Sequence, residues 1–133
     1  MLVDTNVIAD IVSGDPVWFH WSSTQLNDAR RTVPLHVNEI TYAELAVRMD
    51  NERQLQGSLV ELGITLERTP TRAVFLAGRV FGRYRSAGGP RTAILPDFFI
   101  GAHAEVADVP LLTRDVRRYR TYFPAVTLVT PSA

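Results

Sequence analysis

The chain opens with Met1-Leu2-Val3-Asp4-Thr5-Asn6-Val7-Ile8, and the reading of this stretch decides the fold. A short apolar run stops at Asp4. After Thr5 and Asn6 a new apolar series, Val7, Ile8 and Ile11, recurs at helical spacing. The pattern is that of a buried strand feeding a helix. A carboxylate at the end of a buried strand must be paired, protonated or bound to a metal, because removal from water disfavours its charge. Asp4 is therefore the first candidate for chemistry. The competing reading is that it only caps the helix that follows, and further acids in equivalent places decide between the two.

Outward from this stretch the alternation repeats. Gly14 ends the first helix, Asp15 and Pro16 open a second one expected to run to Ala29, and its Val17, Trp18, Phe19 and Trp21 are too much apolar surface for one narrow stripe. Thr32 to Val37 reads as a strand in which Pro34 marks either an edge position or a late start. A helix follows from Asn38, carrying Glu44 in its first turns, and another runs to about Leu62. Ile64 to Glu67 is a short strand, and Thr69-Pro70-Thr71 opens a long helix to Ser86 whose expected buried face is Val74, Phe75, Val80 and Phe81. Gly78 and Gly82 are expected to admit a close helix neighbour. Beyond the loop Ala87 to Arg91, a helix opens at Leu95-Pro96-Asp97. Strands are then expected at Val109 to Thr113 and Val126 to Val129, with a short helix rich in Arg and Tyr between them. Strands alternating with helices imply an α/β fold, a mostly parallel sheet of four to five strands with helices on both faces, in which ligands sit outside the carboxyl ends of the strands.

Residues 1–133 read as one domain, without repeats or linkers, and long enough for a core without cross-links. The absence of cysteine excludes disulfides, thiolate metal sites and cysteine nucleophiles, and fits a cytoplasmic setting. No signal segment is expected, since Asp4 already ends a structural strand. No run of about 18 apolar residues is present to span a membrane. The formal net charge is zero, with 14 basic and 14 acidic residues, so bulk positive charge is not the basis of any nucleic-acid binding. Every basic residue is arginine, and chemistry that needs a lysine is ruled out.

Four acids each lie at a strand end or near a helix start. Asp4 and Asp115 each lie at or just after the end of a strand, Asp97 starts a helix, and Glu44 sits early in a helix that follows a strand. If the strands are parallel, all four converge on one edge of the sheet. Such convergence is unfavourable without cations, because like charges raise one another's pKa. Hard divalent ions resolve the conflict.

The blocks Leu2-Val3-Asp4-Thr5-Asn6-Val7-Ile8, Thr41-Tyr42-Ala43-Glu44-Leu45, Leu95-Pro96-Asp97-Phe98-Phe99-Ile100-Gly101-Ala102-His103-Ala104 and Leu111-Leu112-Thr113-Arg114-Asp115 resemble those of PIN-domain ribonucleases, in particular VapC-type toxins. The likeness runs the length of the chain with the blocks in order. It implies a PIN-like three-layer sandwich and an endoribonuclease dependent on Mg2+ or Mn2+, held inactive by a cognate antitoxin and working as a homodimer. Asp4, Glu44, Asp97 and Asp115 fall on the family's acidic quartet, which would be both catalytic and metal-binding. Thr5, Asn6 and Thr113 fall on supporting polar positions. Water activated by the ions would attack the phosphodiester phosphorus, leaving 5′-phosphate and 3′-hydroxyl ends. Two departures stand out: Glu39 adds an acid that either crowds the metal site or faces solvent, and Gly101 interrupts a usually alanine-rich helix.

Arg114, Arg117, Arg118 and Arg120 with Tyr119 and Tyr122 make a basic, aromatic patch beside Asp115, where RNA phosphates and bases could be gripped. The alternative is a solvated helix face with packed tyrosines. Arg91, ahead of Asp97, is a further candidate for RNA contact. His20, His36 and His103 are scattered, and His103, six residues after Asp97, is turned away from the Asp97 face. The Trp18 and Trp21 region is where an apolar groove for the antitoxin is expected. Phosphoryl-transfer folds of the receiver or haloacid-dehalogenase type also place Asp after a parallel strand, but they rely on a lysine that is missing here. A non-catalytic or DNA-directed module on the same fold is the remaining alternative.

Overall fold

The computed structural model describes residues 1–90 and 95–131. Five short strands, β1 (Leu2–Val3), β2 (Leu35–Val37), β3 (Ile64–Leu66), β4 (Leu111–Leu112) and β5 (Leu128–Val129), form one sheet in the order β3-β2-β1-β4-β5. All its pairings are parallel, with Leu2 opposite His36 on one side and Leu111 on the other. Seven helices alternate with the strands: α1 (Thr5–Ser13), α2 (Phe19–Arg30), α3 (Glu39–Ala46), α4 (Glu52–Leu62), α5 (Thr71–Ser86), α6 (Leu95–Ala107) and α7 (Arg117–Tyr122).

Successive strand residues point to opposite faces, and the two cores follow from that alternation. Leu2 and Leu111 join the layer built on α5, α6 and α7, with Ala77, Val80, Phe98 and Phe123 at its centre. Val3 and Leu112 join the other layer, with Val7 and Ile8 of α1, Leu26 of α2, Leu45 of α3 and Leu55 of α4. The result is the expected three-layer sandwich. The sheet is wound both ways from β1, which pairs with β2 on one side and β4 on the other. The gap outside the carboxyl ends of β1 and β4 is therefore the switch point at which open α/β sheets bind ligands.

Several local expectations are corrected. β2 starts only after Pro34 and lies between β1 and β3, so the late start holds and the edge position does not. Asp15 accepts from the backbone N–H groups of Val17 and Trp18, but regular helix begins at Phe19. In α5 the buried residues are Ala73, Ala77, Val80 and Tyr84, while Val74 and Phe75 are exposed, because α5 packs along α6 through its small residues. Gly78 and Gly82 face open space and admit no neighbour. Among the described residues no helix is long and apolar enough to cross a membrane.

Candidate active site

Asp4 follows β1 directly, its backbone N–H donating to the Leu112 carbonyl at 2.9 Å. Its carboxylate caps α1, accepting the Thr5 N–H at 2.7 Å, so the capping reading of Asp4 holds, and its other oxygen is left to further partners. The second oxygen, Oδ2, accepts from the Thr113 hydroxyl at 2.8 Å, the Tyr119 phenol at 3.0 Å and, more weakly, the Asn6 amide at 3.4 Å. Only 4% of Asp4 is exposed. Burial pushes its carboxyl up to about 6, against the lowering effect of these donors.

Asp97 and Glu44 are tied to this group from opposite layers of the sandwich, whereas, among the described residues, the Asp115 side chain makes no bond to it. Asp97, in the first turn of α6, accepts from the Tyr119 phenol at 3.4 Å, so that a single hydroxyl spans Asp4 and Asp97. Burial raises its carboxyl too, with Asp115 adding to the shift, while an ion pair with Arg118 opposes it. Glu44 on α3 accepts the Thr5 hydroxyl at 2.6 Å, which ties it to the residue beside Asp4. Asp115 is exposed, and its backbone N–H donates to the Thr113 hydroxyl at 3.0 Å. Asn6 links the two strand ends, its amide 3.4 Å from the Thr113 hydroxyl and its carbonyl oxygen 3.4 Å from the Arg114 N–H.

The arginines fare differently. Arg114 makes a two-point ion pair with Asp10, 2.8 and 2.9 Å long, and its guanidinium lies over the Trp18 ring. It braces the Asp115 loop against α1 and α2. Arg118 is held by Asp97, and Arg117 is exposed. Arg91 falls outside the described residues. Tyr119 is buried, and the half-buried Tyr122 packs on Tyr84 and Phe98, so both rings are engaged in packing.

Three participants were missed in the sequence. Tyr119 reads either as part of the RNA-gripping patch or as a packed ring, because a phenol joins an apolar ring to a polar tip, and neither reading makes it a partner of Asp4. Asp10 lies inside the apolar run of α1, and a carboxylate there is itself the signal of a buried partner; its second partner is the Ser22 hydroxyl at 2.8 Å. Asn38 caps α3 by accepting from the Ile40 and Thr41 N–H groups, which leaves its amide to donate to His103 Nδ1 at 3.3 Å. This joins the helix of Glu44 to the helix of Asp97, and burial keeps His103 on the neutral side of its ordinary range. Glu39 crowds nothing: it accepts from the Thr69 N–H and hydroxyl at 2.8 and 2.6 Å.

The donor set is all oxygen, which suits Mg2+ or Mn2+. Among the described residues no three acids or histidines stand close enough to cage an ion on protein ligands alone. Magnesium does not require that, since it takes one or two carboxylates and keeps several waters. The buried Asp4 carboxyl and the partly buried Asp97 carboxyl, both near one phenol, fit that demand.

The model of the PIN domain family matches residues 1–124, and the chain belongs to that family. Similar solved structures include VapBC2 from Rickettsia felis bound to a DNA fragment from their promoter, with a TM-score of 0.73 and 16% identity over 98% of each chain. A toxin-antitoxin complex from Klebsiella pneumoniae gives 0.70 and 22% over 98% of this chain and 97% of that one. VapBC-1 from nontypeable Haemophilus influenzae gives 0.72 and 19% over 97% and 96%. At these identities the likeness is one of fold. Comparison with curated proteins returns no match.

Proposed function

We propose that this chain is an endoribonuclease dependent on Mg2+ or Mn2+, and the toxin of a toxin-antitoxin pair. The observation that carries the reading is the buried Asp4 carboxyl at the β1/β4 switch point, sharing the Tyr119 hydroxyl with Asp97. A bound divalent ion supplies acidification of water and charge neutralisation at a phosphodiester. The protein's own part is positional. Asp4 and Asp97 would be the ion's principal carboxylates, with Glu44 and Asp115 flanking them. Tyr119 and Thr113 fix the face that Asp4 presents, by donating to one of its oxygens. Thr5 holds Glu44 against the start of α1, so the acid from α3 stays in register with the acid from β1. Arg117, exposed and two residues from Asp115, would meet substrate phosphate.

The similar structures are of toxin-antitoxin complexes, and a cognate antitoxin is accordingly the proposed protein partner. Val17 and Phe19, exposed next to the half-buried Trp18 and Trp21, offer it an apolar surface. A homodimer in the cytoplasm is the proposed working form.

The test is cleavage of a fluorogenic single-stranded RNA and of its DNA counterpart, with Mg2+, Mn2+ or EDTA. RNA is expected to be cut with either ion and not with EDTA, leaving 5′-phosphate ends. Asp4→Asn and Asp97→Asn are expected to lower the rate at least about 100-fold, the scale of losing a charge that acts on the transition state. Cleavage that survives EDTA, or products ending in 2′,3′-cyclic phosphate, would overturn the reading.

A further inference from the structure

We infer that Arg118 is a built-in competitor of the divalent ion, occupying Asp97 with its guanidinium until an ion displaces it. The inference rests on the nuclease reading above and adds to it a residue that sets how readily the site loads.

Four observations support it. First, the acids of the site are served unequally. Asp4 is bonded to the Thr5 N–H, the hydroxyls of Thr113 and Tyr119 and the Asn6 amide, all of them neutral, and Glu44 to the Thr5 hydroxyl. Among the described residues, Arg118 is the cation that is ion-paired with a member of the quartet. Second, only 23% of the Asp97 side chain is exposed, so its carboxylate is largely withdrawn from water and calls for a counter-charge. A guanidinium supplies one unit where a divalent ion supplies two, and both seek the same oxygens. Third, the neighbouring residues of α7 differ in freedom. Tyr119 is 1% exposed and fixed, whereas the Arg118 side chain is 35% exposed. Fourth, Arg118 has somewhere to go. It lines a pocket of about 280 Å³ together with Asp115, Arg117, Thr121 and Tyr122, so it can leave Asp97 without leaving the site.

Binding of Mn2+ alone, followed by titration calorimetry and by the paramagnetic resonance of the free ion, tests this without reference to RNA cleavage. Arg118→Ala is expected to bind Mn2+ about tenfold more tightly than the parent chain, and Arg118→Lys to fall between them, since a lysine is a looser partner for a carboxylate. Arg120→Ala removes the same charge from an exposed position of the same helix and is expected to stay within about twofold of the parent, which separates local competition from net charge. Asp97→Asn is expected to lose the high-affinity site. Equal or weaker Mn2+ affinity in Arg118→Ala, with binding that still depends on Asp97, overturns the competition and leaves the metal site intact. Failure of every variant and of the parent to bind Mn2+ overturns the nuclease reading as well.

Discussion

Asp10 and Arg114 show how unequal the two halves of an ion pair can be. Asp10 has 3% of its side chain exposed and Arg114 has 31%. Removing Arg114 leaves a buried carboxylate with only the Ser22 hydroxyl for company, whereas removing the charge of Asp10 leaves a guanidinium that already reaches water. Arg114→Ala is therefore expected to destabilise the protein by about 3–5 kcal/mol. Asp10→Asn, which keeps an acceptor in place, is expected to cost about 1–2 kcal/mol. Urea denaturation of the two variants measures the difference; equal losses would mean that the pair is not set in a dry environment. The same pair explains why Arg114 is a poor reporter of RNA contact, since its substitution loosens the loop that carries Asp115.

At the scale of elements, strands and helix starts were readable where the signal is local. The apolar run ended by Asp4, the helix start at Asn38 and the glycine end at Gly14 all depend on near neighbours in the chain. The Asn51 cap and the Gly63 end of α4 are equally local signals that went unread. The equivalence of the strand ends also placed Asp4 and Asp115 at one edge, because a parallel sheet leaves no other arrangement. What was not readable depends on which surface a helix meets. In α5 the larger residues Val74 and Phe75 looked like the core, yet the neighbour α6 approaches along Ala73 and Ala77. For the tyrosines of α7 the sequence leaves an RNA-gripping patch and packed rings both open, for the same reason, and the packing decides for the rings. Gly101 of α6 is the reverse case, an oddity that only the packing explains. A Cβ there would stand 2.3 Å from the Phe123 ring, which is itself buried. Gly101→Ala improves the intrinsic helix propensity of α6 but forces Phe123 aside, so a net loss of about 1–3 kcal/mol is expected in chemical denaturation. A gain in stability would show that Phe123 yields without cost.

At the scale of the whole molecule, the site is where the two layers of the sandwich are stitched together. Glu44 comes from the layer packed on Val3 and Leu112, while Asp97 and Tyr119 come from the layer packed on Leu2 and Leu111, with Asp4 between them. The metal-free protein bears a cost for this. The Asp4 carboxyl titrates near 6 when folded and near 3.8 otherwise, so the folded state holds the extra proton and stability falls as pH rises from about 4 through about 6. The loss amounts to about 3 kcal/mol above that window, and the raised carboxyl of Asp97 acts in the same direction. A divalent ion binds the ionised folded form and not the unfolded chain. At about a hundred times its Kd it should return about 2.7 kcal/mol, a rise in Tm of roughly 10 °C for a domain of this size. The expected result in thermal melts is a Mn2+-induced rise at pH 7.5 that shrinks markedly at pH 5.5, where a proton competes for Asp4. In EDTA, Asp4→Asn should melt above the parent chain at pH 7.5 and below pH 4 lose that advantage, since the parent carboxyl is then neutral as well. A Mn2+ effect as large at pH 5.5 as at pH 7.5 would place the ion away from Asp4 and would detach the acidic cluster from the joining of the two layers.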